Sequence, residues 1–365
     1  MTNEAVRSKP LAIAGVPLRR LQPALGVLVS AVALYLALRG VDWSKAGEAL
    51  QDARYPLLLP ALAAMLAGLL FRSLRWRLLF YPESGLRLRT FFGVLNVGYM
   101  VNNLLPFQVG DLARAYLLGE LQGLSRARAF STVVVERVVD VLVLFGLLVI
   151  LMLFISVPAW AAVPVAIAAS LFLLLGSVLV AFAGNRRRVL SVLEALLRFV
   201  PGRFHENFKH MAASALDGLA ILSTPRILVL MVGCSLGSWM LTILVLFFAM
   251  MAFNLGVPFS AAVFVVVMTS FGFFIPSSPG ALGVYHAISI ESLVRVFDVD
   301  RALATSYSLV VYLIFYVPPL IIGLSFLWRE RFSWRQLRIL TTQQTAAQGD
   351  IGFDASPGDE AGEST

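Results

Sequence analysis

The chain has 365 residues, of which 59% are hydrophobic and 14% charged, with a mean hydropathy of +0.84 and a formal net charge of +8 at pH 7. Soluble domains carry about 25% charged residues, so this composition excludes a soluble globular protein. A single cysteine, Cys234, and three scattered histidines give no disulfide framework and no metal site of the usual spacing. No Gly-rich phosphate loop or nucleophile elbow occurs, and we expect no catalytic residue, metal or cofactor.

Apolar runs in the sequence predict six full transmembrane helices, since about 20 apolar residues cross a bilayer. In chain order they are residues 21–38, 56–71, 130–155, 161–183, 227–253 and 302–328. Two further apolar stretches are interrupted: 91–105 stops before Pro106 and returns as 108–120, and 259–275 stops before Pro276 and returns as 281–296. Each predicts a re-entrant helix pair. The fold class expected is an all-α polytopic membrane protein, with up to eight membrane segments by hydropathy.

Basic residues set the expected orientation and domain organisation. Their clusters at 72–89, 126–128, 186–209 and 329–338 fall on one side, which predicts that both termini are cytoplasmic and that the 39–54 loop is external. Residues 1–20 then form a cytoplasmic segment and 21–330 the transmembrane domain, with an amphipathic cytoplasmic segment at 185–225. Residues 331–365, basic and then acidic, are expected to be a disordered tail.

The two interrupted segments resemble each other. Pro106, Gly110 and Leu112 match Pro276, Gly280 and Leu282 at a constant offset of 170 residues. Three full spans separate the two segments, so the second enters from the opposite face. This arrangement is typical of the inverted repeats of transporters.

Charged residues inside the third span are the most informative ones. Glu136 and Asp140 are four residues apart and share one helix face, and Arg137 lies deep in the same span. Since each charge costs about 2.5–3.5 kcal/mol at a span's centre, the group must face partners such as Arg114 or a polar cavity. Two interpretations stay open: an ion-pair cluster that clamps this span to the first re-entrant segment, or the charged lining of a substrate path.

The tips of the interrupted segments are the second group of candidates. In the first tip, Asn102, Asn103, Asp111 and Arg114 surround a chain break, and Arg114 is expected to be open to one face. Broken helices expose N–H groups and a positive dipole end, which suit an anionic headgroup. The alternative is an Asp111–Arg114 bridge with amide caps that only satisfy the turn.

Gating residues are expected at both tips, and His286 and Arg75 complete the candidate site. The gating candidates are the prolines and glycines Pro106, Gly110, Pro276, Pro279, Gly280 and Gly283. His286 lies just beyond the second tip. Arg75, at the end of the second span with Arg72, Trp76 and Arg77, fits a positive-inside anchor best, with phosphate contact as a second interpretation.

At these residues the sequence resembles a flippase-like integral membrane family of the UPF0104 type, which includes the membrane half of lysylphosphatidylglycerol synthases. The matching motifs are Arg72-Ser-Leu-Arg75-Trp76, Asn103-Leu-Leu-Pro106 with Gly110, Asp111 and Arg114, Glu136-Arg137 with Asp140, and Pro279-Gly280-Ala-Leu-Gly283. The chain departs from the family pattern at Asp111 and His286, where Glu is usual. The resemblance implies movement of a phospholipid or polyprenyl-linked lipid between leaflets. It implies no catalysis, because the soluble aminoacyl-transferase half is absent from this chain.

The function expected from the sequence is therefore a lipid flippase or transporter of the bacterial plasma membrane. Its expected partners are a membrane lipid with an anionic headgroup, the bilayer and an envelope-synthesis enzyme; the positive charge fits basic loops on anionic lipid better than nucleic acid. The expected substrate-binding residues are Arg75, Asn102, Asn103, Asp111, Arg114, Glu136, Arg137, Asp140 and His286. Two alternatives stay open: a membrane-embedded transferase on a lipid-linked substrate, and a non-transporting partner of a cell-envelope synthase.

Overall fold

The structure is a computed structural model that describes residues 12–13, 16–83, 85–105, 109–152, 170, 225–273 and 278–330. Several expectations from the sequence lie outside these residues. They are the fourth span at 161–183 apart from residue 170, the amphipathic segment at 185–225 apart from residue 225, the tail at 331–365, most of the 1–20 segment, and Pro106 and Pro276.

Ten α-helices make up most of the described part of the chain. They are α1 (Leu18–Leu38), α2 (Trp43–Gln51), α3 (Leu58–Leu78), α4 (Leu88–Leu104), α5 (Gly110–Gln122), α6 (Arg126–Met152), α7 (Pro225–Ala252), α8 (Phe259–Gly272), α9 (Leu282–Phe297) and α10 (Arg301–Arg329). Two 3₁₀ turns, Tyr55–Leu57 and Pro279–Ala281, precede α3 and α9. The only described strands, Ala12–Ile13 and Val16–Pro17, form a two-residue antiparallel ladder.

Three of the described helical segments are long and apolar enough to cross a membrane. They are Tyr55–Leu78, Arg226–Ala252 and Arg301–Arg329, which confirms the apolar helices predicted at 56–71, 227–253 and 302–328. A fourth span is present if Val27–Leu38 and Trp43–Gln51, bent by 83° at their break, cross together. Helix α6, with 27 residues, is about 40 Å long and also has the length to cross, but it carries charges in its middle.

The 39–54 stretch, interpreted from its mixed charge as a loop, contains α2. The Asp42 carboxylate caps this helix by accepting hydrogen bonds from the Ser44 and Lys45 N–H groups, at 3.0 and 3.3 Å. On the inner side of α2 the buried Ala46 accepts a 2.8 Å hydrogen bond at its carbonyl from the Ser306 hydroxyl of α10. A capping carboxylate and this contact with α10 thus order a segment that composition alone assigns to a loop.

Glycines set the close packing of the antiparallel pair α3 and α7. A side chain on Gly237 would come within 2.7 Å of the Phe71 ring, and one on Gly68 would contact Leu241. At the other end of the pair, the Arg54 N–H donates to the Ala252 carbonyl at 2.8 Å. Because glycine has no side chain, the backbones of the two helices can approach each other along most of their length.

Helix α4 packs antiparallel against the second half of α10. A Cβ on Gly93 would overlap the Phe326 ring at 2.0 Å, and one on Gly323 would lie 3.0 Å from the Asn96 carbonyl oxygen. Residues early in α4 thus contact the end of α10, and later α4 residues contact its middle.

Helices α4 and α5 form a tight antiparallel pair. A Cβ on Gly110 would lie 1.9 Å from the Gly98 carbonyl oxygen, so only glycine fits at this crossing. The Asn102 side-chain oxygen accepts a 2.7 Å hydrogen bond from the Gly110 N–H, which satisfies the first turn of α5.

Helices α8 and α9 form the second pair, which α1 holds in place. A Cβ on Gly272 would overlap the Ile288 side chain at 2.3 Å, and one on Gly283 would lie 1.9 Å from the Ser30 carbonyl oxygen. The Ser278 N–H, just before the 3₁₀ turn, donates to the Ser30 hydroxyl at 2.7 Å. Backbone contacts thus fix the start of α9 against α1.

The ends of the two pairs meet beside the middle of α10. The Tyr312 hydroxyl of α10 donates to the Gly280 carbonyl at 3.2 Å, and a Cβ on Gly280 would lie 3.5 Å from the Asn103 carbonyl oxygen. From this meeting point, α9 extends along α10 toward the start of α10, because His286 of α9 pairs with Ser308. Helix α4 extends from the same point toward the end of α10, where Gly93 lies against Phe326. At about 25 Å, α4 and α9 are each shorter than a bilayer core.

The orientation expected from the arginine clusters is tested by cysteine labelling. Ser44, in the first turn of α2, and Ser125, just before α6, are exposed serines at opposite ends of the bundle. In a Cys234→Ser background, Ser44→Cys should react with an impermeant thiol reagent on intact cells and Ser125→Cys only after permeabilisation. Labelling of Ser125→Cys from outside, with Ser44→Cys protected, would reverse the orientation.

Candidate functional site

Arg75 of α3 is the centre of the candidate site. It is only 2% exposed, and its Nε and Nη2 donate to Glu136 Oε1 at 3.3 and 3.1 Å. Its two Nη atoms also donate to the two carboxylate oxygens of Asp140 at 2.5 and 3.0 Å, and Nη1 donates to the Ser235 hydroxyl at 3.1 Å. The interpretation of Arg75 as a surface anchor is therefore wrong. Glu136 and Asp140 do share one face of α6, as their spacing predicts, because both bind Arg75.

Arg114 of α5 binds the other oxygen of Glu136. Its Nη1 lies 2.8 Å from Glu136 Oε2, and its Nε lies 3.3 Å from Asp111 Oδ1. The guanidinium carbon also lies 5.0 Å from the centre of the Trp76 ring, within the range of a cation–π contact. Arg114 is 4% exposed, so the expectation that it is open to one face is wrong. The tight α4–α5 crossing holds it inside.

Arg137 binds Asp111 through a bidentate contact. Its Nε and Nη2 donate to the Asp111 oxygens at 2.7 to 2.9 Å. The Arg137 side chain is 45% exposed, so this arginine is not deep in the protein as its place in a span suggested. It points away from the face of α6 that carries Glu136, because the two positions are adjacent in the helix.

These residues form one arginine network, which we define as Arg75, Arg114, Arg137, Asp111, Glu136 and Asp140. Its three guanidinium groups and three carboxylates balance in formal charge. Its inner part is buried, and its rim is accessible: Asp111 and Asp140 have side chains 18% and 24% exposed. The network joins α3, α5 and α6, and the indole N–H of Trp239 adds α7 by donating to Asp140 at 3.3 Å.

The two asparagines of the first tip, Asn102 and Asn103, make different contacts. Asn102 caps α5, as the structural interpretation of the tip predicts. Asn103 is half-buried, and its backbone carbonyl lies against Gly280 of the second tip. Gly280 adopts φ +66°, a left-handed conformation that favours glycine, so this contact depends on the residue type.

His286 is separate from the arginine network. It is 2% exposed, its Nδ1 lies 2.7 Å from the Ser308 hydroxyl, and its ring contacts Tyr285 and Tyr312 with centroids 5.5 and 5.1 Å apart. Within the described residues no hydrogen bond or ion pair joins His286 to the network. The structure therefore divides the residues predicted for one site between two regions.

A row of buried hydroxyl groups next to His286 was not predicted. We call Tyr285, Ser289, Ser292 and Tyr307 the hydroxyl seam; all four are at most 7% exposed, and none of their hydroxyls makes a hydrogen bond of normal geometry within the described part. The spacing of Tyr285, Ser289 and Ser292 along one face of α9 is the sequence signal that could have indicated it. The seam lies between α9 and α10, on the side of the tips away from the network.

The apolar helices and buried charges define a multi-pass helical membrane protein. Residues 24–323 match the family described as the lysylphosphatidylglycerol synthase TM region, and the chain belongs to this family. It is also similar to two proteins named UPF0104 membrane protein from Methanothermobacter thermautotrophicus. One is 27% identical over 304 residues, covering 77% of this chain and 86% of the relative; the other is 26% identical over 286 residues, covering 73% and 83%. The resemblance found in the sequence motifs is confirmed.

Arg75 should be essential for stability. Arg75→Gln leaves Glu136 without one of its two cations and Asp140 without the guanidinium that holds it, and loss of one partner of a buried pair costs about 3–5 kcal/mol. We expect a marked fall in melting temperature in detergent and in expression. Arg77→Gln, an exposed arginine in the same helix turn, is the matched control and should behave as wild type. Equal melting temperatures for the two variants would show that Arg75 does not hold the helices together.

Proposed function

We propose that this protein moves a lipid with an anionic headgroup, a phospholipid or a polyprenyl-linked lipid, between the leaflets of a bacterial plasma membrane, without covalent chemistry. The observation that carries the proposal is the placement of two buried polar regions. The arginine network lies on one side of the contact between Asn103 and Gly280, and the hydroxyl seam lies on the other. Together the two regions would provide polar contacts to a headgroup at successive depths in the membrane.

The architecture supports this proposal. Helices α4 and α5 would form one re-entrant pair and α8 and α9 the other, entering from opposite faces as an inverted repeat. In support, α4 and α9 contact opposite halves of α10, and each is shorter than the bilayer core. Paired broken helices that meet near the midplane are typical of substrate sites in secondary transporters.

The rim of the arginine network would be the point of headgroup entry. Arg137 holds Asp111 through two nitrogens while its side chain is 45% exposed. A phosphate presents oxygens in the same geometry as a carboxylate, so it can take the place of Asp111 on the guanidinium. The chain uses 26 arginines and three lysines, in keeping with bidentate phosphate contacts.

The tips would control passage, and the hydroxyl seam would bind the uncharged part of the headgroup. Next to Gly280, which lies beside Asn103, Ala281 adopts a left-handed conformation that is strained for a residue other than glycine. Beyond them, the buried hydroxyls can donate to and accept from the hydroxyl groups of a glycerol or sugar. His286 would position this region through Ser308 rather than bind phosphate.

The test is lipid exchange between leaflets in proteoliposomes. The wild-type protein should accelerate bleaching of inner-leaflet fluorescent phosphatidylglycerol by an impermeant quencher. Arg137→Gln should slow this exchange about tenfold or more, since a hydrogen bond to a charged group is worth about 1.5–3 kcal/mol. Arg128→Gln is the matched control, because Arg128 lies on the same helix and pairs with Glu83 at the surface.

Two outcomes would count against transport. Exchange at the protein-free rate for phosphatidylglycerol and for polyprenyl phosphates would contradict the proposal, and turnover of a lipid-linked donor by the pure protein would favour a membrane-embedded transferase. Equal exchange by Arg137→Gln and Arg128→Gln would remove Arg137 from the path while leaving transport intact.

A further inference from the structure

Arg72 lies one turn before Arg75 on α3 and has a different environment. Its Nη1 donates to the Tyr99 hydroxyl of α4 at 3.3 Å, and its Nη2 donates to the Thr242 hydroxyl of α7 at 3.1 Å. Its guanidinium carbon lies 5.9 Å from the centre of the Tyr99 ring. The side chain is half-buried between α3, α4 and α7, and both of its hydrogen-bond partners among the described residues are neutral.

No carboxylate among the described residues comes within the 4.0 Å of an ion pair with Arg72. Asp140 is close enough for a Coulomb interaction, but both of its oxygens are bound to Arg75. Because the arginine network balances internally, Arg72 adds one positive charge beside it that is not paired with any carboxylate of the described residues. Such a charge inside a membrane protein is costly unless an anion neutralises it.

We propose that, beyond the point of headgroup entry at Arg137, Arg72 binds the lipid phosphate, and that the site takes a phosphodiester, which carries one negative charge. This inference rests on the proposed function and names the substrate class of the same site. One negative charge restores neutrality at Arg72. A phosphomonoester carries about 1.5 to 2 negative charges at pH 7, and a pyrophosphate more, so either would leave the site negative.

The surroundings of Arg72 fit a phosphodiester. The Tyr99 hydroxyl accepts its bond from Arg72 and keeps its own proton to donate to a second phosphate oxygen. Thr242 donates its proton to the Ser238 carbonyl at 2.9 Å, so it orients the guanidinium and is not a second donor. Tyr99 lies one turn before Asn103 on α4, which puts the phosphate between the arginine network and the tips.

The experiment compares Arg72→Gln with wild type and with Arg77→Gln, an exposed arginine of the same helix. In proteoliposomes, Arg72→Gln should exchange fluorescent phosphatidylglycerol about tenfold more slowly, the loss of one charged hydrogen bond, and Arg77→Gln should match wild type. In detergent, short-chain phosphatidylglycerol should raise the melting temperature of wild type but not of Arg72→Gln. Farnesyl diphosphate at the same concentration should raise it less.

The outcomes separate this inference from the proposed function. If wild type and Arg72→Gln exchange lipid at equal rates, the role of Arg72 is overturned but the proposed transport function is not. Absence of exchange by wild type removes the transport proposal, whereas stabilisation by phosphatidylglycerol that depends on Arg72 still supports the phosphate site. Stronger stabilisation by farnesyl diphosphate overturns the assignment to a phosphodiester.

A second pair of variants covers the case in which Arg72→Gln does not fold. Arg72→Lys retains the charge, and Tyr99→Phe removes the free hydroxyl proton and leaves the arginine in place. The proposal requires stabilisation by phosphatidylglycerol in Arg72→Lys and a smaller effect in Tyr99→Phe. Loss of the effect in Arg72→Lys, with wild-type behaviour of Tyr99→Phe, would contradict it.

Discussion

A guanidinium group cannot stay unpaired in a hydrocarbon environment, and the burial of Arg75 shows how this protein meets that constraint. Two carboxylates one turn apart on α6 surround it, and one of them is shared with Arg114 of α5. Each charge is therefore held by groups on a neighbouring helix. A buried pair of this kind adds little net stability, but its disruption is costly, so it fixes the register of α3, α5 and α6.

The same constraint explains why the site has a buried core and an accessible rim. Glu136 accepts ion pairs at both oxygens from arginines that are almost fully buried. Asp111 and Arg137 make an equally close contact, but the Arg137 side chain is 45% exposed. The ion-pair clamp weighed from the sequence therefore fits the buried core of the network. The substrate path, the other interpretation, is part of the proposed function and concerns the rim.

Local patterns in the sequence predicted much of the fold, because they depend only on residues that are close together in the chain. The apolar runs mark α3, α7 and α10, and the interruptions before Gly110 and Pro279 mark the ends of two helix pairs. The four-residue spacing of Glu136 and Asp140 predicted that they share one face of α6, where both bind Arg75. Family motifs then indicated the same membrane family that the chain is now shown to belong to.

The side chains that pair between different helices could not be predicted in the same way. Nothing within α3 distinguishes the buried Arg75 from the exposed Arg77, since burial depends on which face meets α6 and α7. Arg114 is buried because glycines at 98 and 110 bring α4 and α5 together, and that contact exists only in three dimensions. Helix α2, which Asp42 caps, was likewise not predicted, because it lies in a stretch of mixed charge.

The proposed passage of lipid where the two helix pairs meet is tested most directly by a reversible cross-link. Asn103→Cys and Ser278→Cys, in a Cys234→Ser background, place thiols on either side of the contact between Asn103 and Gly280. When a short disulfide-containing cross-linker joins them, lipid exchange in proteoliposomes should stop, and reduction should restore it. Exchange by the fully cross-linked protein at the rate of the reduced protein would contradict the account.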